Sequence, residues 1–141
     1  MKTTLAILLA VAFHAASAMG NDPKTLALSS WTVTELGGTA LDTDKPPTLE
    51  FDAEGQIAGD SSCNRYGGPC LVEGNTISVS RLRLTRRMCD EETMARERKF
   101  MTLLQAAQTW EITDTGTLVL HGSEGDIMAT RQAAEGAQET D

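Results

Sequence analysis

Apolar and polar residues alternate in short stretches along most of this chain. Trp31-Thr32-Val33-Thr34-Glu35-Leu36 sets large apolar side chains against polar ones at a period of two and is rich in β-branched and aromatic types, which predicts a half-buried strand. Gly37-Gly38 ends it. Pro46-Pro47 has no N–H to give a ladder, so residues 42 to 47 read as a loop feeding a strand from Thr48 to Asp52. Ala53-Glu54-Gly55 is a turn, and Gln56 to Gly59 is the returning strand of a hairpin. The next extended segment carries Cys63, Asn64 and Tyr66 until Gly67-Gly68-Pro69 disturbs it. Val72 to Val79 reads as strand, Gly-Asn turn, strand, and Leu82 and Leu84 continue the alternation.

After Cys89 the period changes. Asp90 is placed to cap a helix, Glu91 and Glu92 suit the positive end of its dipole, and no Gly or Pro interrupts the segment to Ala107. Phe100, Leu103, Leu104 and Ala107, with Glu97 one turn before Phe100, predict one amphipathic helix seated against the sheet. Glu97, a carboxylate at the border of that stripe, is expected to find a salt bridge or a cap. Trp110 to Ile112, Thr117 to His121 and Ile127 to Thr130 return to strand character. The fold class is therefore α+β, mainly β: an antiparallel, partly closed sheet or barrel packed around one helix.

Residues 1–18 read as a secretory signal peptide, with Lys2, an apolar run from Leu5, and Ala16-Ser17-Ala18 as the cleavage pattern, cut after Ala18. The run is too short to span a bilayer, so stable membrane insertion is not expected. A flexible leader (19–26), one domain (27–131) and a disordered acidic tail (132–141) follow. The expected location is the periplasm and the expected state a monomer. Loss of Lys2 takes the net charge from −8 to −9 and leaves His121 as the lone histidine. That acidity disfavours nucleic acid as a partner. Arg81, Arg83, Arg86 and Arg87 do cluster, and are read as a solvent face balanced by Asp90, Glu91 and Glu92.

Chemistry is sparse. The three cysteines permit one disulfide in an oxidising compartment. Loop-closure entropy separates the three pairings by only about 1 kcal/mol. On a continuous strand Cys63 and Cys70 point to opposite faces, which disfavours that pair and leaves either partner open for Cys89. A zinc site would need His121 beside all three cysteines, whose spacings of six and eighteen intervening residues form no short knuckles. A catalytic thiol, or a triad drawn from Ser61 or Ser62 with His121, has no local motif behind it. No cofactor is expected. Asn64 and Tyr66 share a strand face with Gly68, where the Asn is expected to bond a turn and the Tyr to pack its ring.

Taken in order, Trp31, Pro47-x-Leu49-x-Phe51, Gly59, Cys63-Asn64-x-Tyr66-x-Gly68, Thr85 ahead of Cys89, and Glu97-x-x-Phe100-x-x-x-Leu104 resemble the META domain family from about Ser30 to Arg131. Three positions depart from it: Ser62 stands where Gly is usual, Cys70 where an aromatic is usual, and Arg87 where Met is usual, with Met88 displaced by one. The resemblance implies a β structure holding one helix in an exported or envelope protein, with the motif residues structural and no enzymatic activity. It also puts cysteine at both 63 and 89, which selects that disulfide and leaves Cys70 buried or free. The function it implies is a non-catalytic, stress-associated binding module of the envelope, with an unidentified envelope protein or a small hydrophobic ligand as partner. Two other readings stand beside it. One is a lipid carrier, akin to a secretin pilot protein, with Trp31, Phe51, Ile57 and Leu104 around a cavity. The other is an inhibitor of an extracytoplasmic hydrolase acting through residues 67 to 70 or 41 to 47.

Overall fold

The structure, a computed structural model, describes residues 26–133; the expected signal peptide, the expected leader up to residue 25 and the expected tail from residue 134 lie outside the described residues. In chain order the elements are β1 (Ser29–Leu36), β2 (Thr39–Ala40), β3 (Thr48–Phe51), β4 (Gln56–Asp60), β5 (Arg65–Glu73), β6 (Thr76–Val79), β7 (Arg83–Leu84), α1 (Glu91–Gln105), β8 (Ala107–Ile112), β9 (Thr117–Gly122) and β10 (Ile127–Arg131). Antiparallel pairing runs β10-β9-β8-β6-β5-β4-β3-β1, and β10 returns to β1. Eight strands thus form a closed ring, going beyond the partial closure expected from sequence. Closure removes the open edges of these eight strands, which would otherwise template pairing with other chains. β2 extends β1 at its end, and β7 pairs with β5.

Inward residues alternate with outward ones as the sequence pattern requires. Trp31, Val33 and Leu36 of β1, Leu49 and Phe51 of β3, Ile57 of β4, Leu118 and Leu120 of β9, and Ala129 of β10 are all buried. The ring is weakest between β6 and β8, where the ladder holds a single pair, Thr76 with Thr109. Trp110 reinforces this seam: its indole Nε1 donates to the Gly74 carbonyl at 2.9 Å, and its backbone N–H donates to that of Asn75 at 2.9 Å. A buried indole thereby fastens the β5–β6 turn onto β8.

α1 begins where predicted. Asp90 accepts from the Thr93 N–H at 2.9 Å and from its hydroxyl at 2.7 Å, and these bonds hold the Asp90 carboxyl below its ordinary range. The helix stops at Gln105, two residues short of the predicted end at Ala107, which already opens β8. Phe100, Leu103 and Leu104 face the barrel interior, with Phe100 edge-on to Tyr66 at 5.4 Å between ring centroids. Lys99 and Leu103 come against Gly37 and Leu103 against Gly125, so α1 closes the end of the barrel where β1 and β9 finish and β10 starts.

Other expectations need correction. Gly67-Gly68-Pro69 does not break its strand: β5 runs unbroken from Arg65 to Glu73. Pro69 gives its carbonyl to the Ser80 N–H, so its own nitrogen faces the interruption between β6 and β7, and no ladder bond is lost. Residues 67 to 70 are consequently strand and not the exposed inhibitory loop considered from sequence. Cys63 and Asn64 precede the strand, so the parity rule for Cys63 and Cys70 has no continuous strand to act on. At the domain limits, Leu26 is 1% exposed and belongs to the core, not the leader. Gln132, assigned to the tail, donates its backbone N–H to the Ser30 carbonyl at 2.8 Å.

Candidate functional site

Of the resemblance residues, Cys63, Asn64, Thr85 and Cys89 gather at one end of the barrel, around the carboxylate of Glu97. This side chain is 4% exposed, and among the described residues no cation pairs with it. The salt bridge or cap expected from sequence is replaced by neutral donors. Glu97 Oε2 accepts from the Asn64 N–H at 2.9 Å and from the Ser61 hydroxyl at 2.6 Å, while Asn64 Nδ2 reaches both carboxylate oxygens at 3.1 Å. Burial without these donors would cost several kcal/mol, which is why the Ser61–Asn64 turn wraps the helix at this point.

Asn64 uses every polar atom it has. Its carbonyl accepts from the N–H and hydroxyl of Ser61, both at 2.8 Å. Its Oδ1 accepts from the Thr85 hydroxyl at 2.9 Å and the Arg87 N–H at 2.5 Å, and Nδ2 also faces the Arg87 carbonyl at 3.3 Å. Thr85 adds a reciprocal link: its Oγ1 accepts from the Arg65 N–H and its N–H donates to the Arg65 carbonyl, each at 3.0 Å. Asn64 thus joins the turn, the helix and residues 85 to 87. The Cys63–Cys89 disulfide, with 5.9 Å between Cα atoms, ties the same segments covalently.

The remaining motif positions solve contact problems. A Cβ on Gly59 would lie 2.4 Å from the Thr48 carbonyl oxygen. That carbonyl accepts from the Tyr66 hydroxyl at 2.6 Å, and Thr48 Oγ1 accepts from the Asp60 N–H at 2.9 Å. Burial, aided by nearby Glu50, holds the Tyr66 phenol well above its ordinary range, which keeps the donating proton in place. Gly68 lets Arg81 and Leu82 pass close over β5, since a Cβ there would sit 3.0 Å from the Arg81 carbonyl. Trp31, Phe51, Phe100 and Leu104 are core residues, and the Trp31 indole donates to Ser29 Oγ at 2.8 Å. Ser61 and Thr48 are functional parts of this assembly that sequence reasoning missed. Their only signal is position: Ser61 lies within the Gly59-to-Gly68 stretch and Thr48 between Pro47 and Leu49.

Two departures from the family pattern acquire a physical meaning. Ser62, where Gly is usual, has φ of 87°, a left-handed conformation disfavoured for residues with a Cβ. Its hydroxyl compensates in part by donating to the Lys45 carbonyl at 2.9 Å. Cys70, where an aromatic is usual, is a buried free thiol that borders a cavity of about 220 Å³ with Leu26, Phe51 and Val72. Burial, with a smaller contribution from Asp52, pushes this thiol up to about 11.

Other candidates are not assembled. With Cys63 and Cys89 bonded to each other, the three-cysteine zinc set has lost two thiolates. His121 is engaged elsewhere: Nε2 lies 3.2 Å from Glu111 and Nδ1 3.1 Å from Asp126, so neither nitrogen serves Ser61 or Ser62. Trp31, Ile57 and Leu104 are 0–1% exposed within the packed core and do not line an interior ligand chamber.

The sequence profile of the META domain matches residues 24–135. Comparison with curated proteins returns no match. Among solved structures, an NMR structure of a protein from Burkholderia xenovorans is 22% identical, with a TM-score of 0.65 over 79% of this chain and 86% of that one. A crystal structure of a DUF4847 family protein from Bacteroides vulgatus is 14% identical, with a TM-score of 0.58 over 79% of this chain and 98% of that one. These likenesses establish a shared small-barrel fold.

Three predictions follow from the geometry. Glu97→Ala orphans the buried Asn64 N–H, leaves the Ser61 hydroxyl only the Asn64 carbonyl and is expected to lower unfolding stability by about 2–4 kcal/mol. Urea titration checks this, and a loss below about 0.5 kcal/mol would refute the role given to Glu97. Ser62→Gly should relieve the left-handed strain and raise stability by about 0.5–1 kcal/mol, despite losing the bond to Lys45; an unchanged or lower midpoint contradicts it. For His121, partial burial alone would lower the imidazole, but its bonds to Glu111 and Asp126 prevail and raise it above 6.5. A raised folded value means stabilisation is complete below pH 6.5 and is lost as pH rises through the folded value. Wild-type stability should therefore fall across that window and His121→Gln should flatten the fall; parallel pH profiles for the two would dismiss the effect.

Proposed function

Because the chain belongs to the META domain family, we propose that it is a non-catalytic, exported envelope protein acting as a stress-associated binding module. The observation that carries this reading is the internal use of the motif's polar groups. Asn64, Glu97, Thr85 and Tyr66 bond one another or the main chain, so the residues that carry the resemblance serve the scaffold rather than a reaction. The Cys63–Cys89 disulfide is consistent with an oxidising compartment outside the cytoplasm. The carrier reading has less support: of the residues it invokes, Trp31 and Leu104 pack in the core, the groove of about 450 Å³ at Ile57 is open at the surface, and the cavity that Phe51 borders beside Cys70, about 220 Å³, is smaller than the roughly 300–1,000 Å³ of small-molecule sites.

Fractionation of a Gram-negative host, with N-terminal sequencing, tests export. The expected product starts at Met19, sits in the periplasmic fraction and is labelled by a thiol reagent at Cys70 alone after unfolding. A chain that retains Met1 and stays in the cytoplasm with three reactive thiols would end the envelope reading. Photo-crosslinking in the same fraction, before and after heat shock, should give a discrete protein adduct; purified protein that instead turns over a substrate would end the non-catalytic one.

A further inference from the structure

Arg81, Arg83, Arg86 and Arg87 fall within seven residues of a chain whose net charge is −8. The balance with Asp90, Glu91 and Glu92 expected from sequence does not form. Asp90 caps α1 through Thr93, Glu92 pairs with Arg96, and Glu91 is exposed on the first turn. Glu50 and Asp60 both engage Arg65. Among the described residues, none of the four arginines has an ion-pair partner.

The backbone here is also available. Residues 83 to 88 are all exposed, with Leu84 at 37% and Met88 at 87%. β7 pairs with β5 along one edge only. Since the Thr85 N–H turns to Arg65, alternation directs the main-chain groups of Leu84 and Arg86 away from β5. A groove of about 450 Å³ lies on the paired side of β7, over β4 and β5, opposite this open edge; Ala58 and Gly67 floor it and Arg65, Arg83 and Leu84 wall it. The segment is held rigid beneath: Asn64 grips Thr85 and Arg87, and the disulfide fixes Cys89.

We propose that the free edge of β7 is a docking surface for an extended acidic segment of a partner protein, which adds as a strand beside Leu84 while its carboxylates meet Arg83, Arg86 and their neighbours. This rests on the reading of the chain as a binding module and names where it binds. One observation favours a polypeptide over an anionic membrane: a headgroup layer has no main chain to pair with the open edge of β7. Pre-ordering of residues 85 to 89 removes much of the entropy cost of docking.

The test uses the full-length oxidised protein, a ten-residue peptide of alternating Val and Glu, the same length of alternating Pro and Glu, and phosphatidylglycerol vesicles. Calorimetry and amide NMR should show the Val-Glu peptide binding with shifts at Leu84 and Arg86. Arg83→Glu/Arg86→Glu should weaken it by at least about tenfold, and the Pro-Glu peptide, which cannot pair as a strand, should bind several-fold more weakly. Thermal unfolding of the variant, whose two sites are exposed, checks that its fold is intact. Equal binding of both peptides, indifference to the charge reversal, or binding to vesicles but not to the Val-Glu peptide each overturns the proposal. An envelope protein crosslinked equally to wild type and variant would overturn this surface while leaving the binding-module reading in place.

Discussion

Glu97 sits on the buried side of α1 with no cation beside it, and the barrel end is organised around satisfying its two oxygens. Helical period places position 97 one turn before Phe100, so the carboxylate is drawn inward with the apolar stripe. Donors must then come from the opposing chain. A turn that presents a main-chain N–H, a hydroxyl and an amide together meets this need, and Ser61 to Asn64 is such a turn. Tightening it around one carboxylate drives Ser62 to positive φ, which explains why glycine is the family's usual choice there.

Two different kinds of link join the same segments. The disulfide spans a sequence separation of 26 and acts chiefly on the unfolded chain, worth about 3.5 kcal/mol on the loop-entropy scale. Asn64 acts on the folded state, fixing orientation through bonds to Glu97, Thr85 and Arg87. A crosslink alone would tether residue 89 without choosing the path of residues 85 to 87. The amide alone would hold that path only while the barrel end is intact. Together they specify both closure and geometry, and β6 and β7 are trapped between them.

Much of the fold was legible because most elements carry local periodicity. Alternation found β1, β3, β4, β6, β9 and β10, and the shift of period with Asp90 found α1. What failed was nonlocal. Pro69 looks like a strand breaker until its nitrogen is seen to face the gap between β6 and β7. The Cys63–Cys89 pairing came from the resemblance, whereas the parity argument assumed a strand that starts only at Arg65. Glu97 was recognised as needing a partner, yet its donors lie 33 and 36 positions away, and nothing local in Ser61 or Asn64 announces the contact. The role of Trp110 in closing the ring was equally invisible, since its acceptors, Gly74 and Asn75, belong to a distant turn.

The same architecture explains why an acidic protein carries an exposed basic ridge. Residues 85 to 89 give their inward-facing groups to Arg65, Asn64 and Cys63, so their position is set by the scaffold. Among the described residues, none bonds the guanidinium groups of Arg86 and Arg87, and the side chain of Met88 stays 87% exposed. If the ridge served only to hold the barrel end together, neutral polar side chains would do as well and would avoid four like charges within seven residues. The charges are therefore separable from folding, and what the scaffold contributes to them is a fixed, extended presentation.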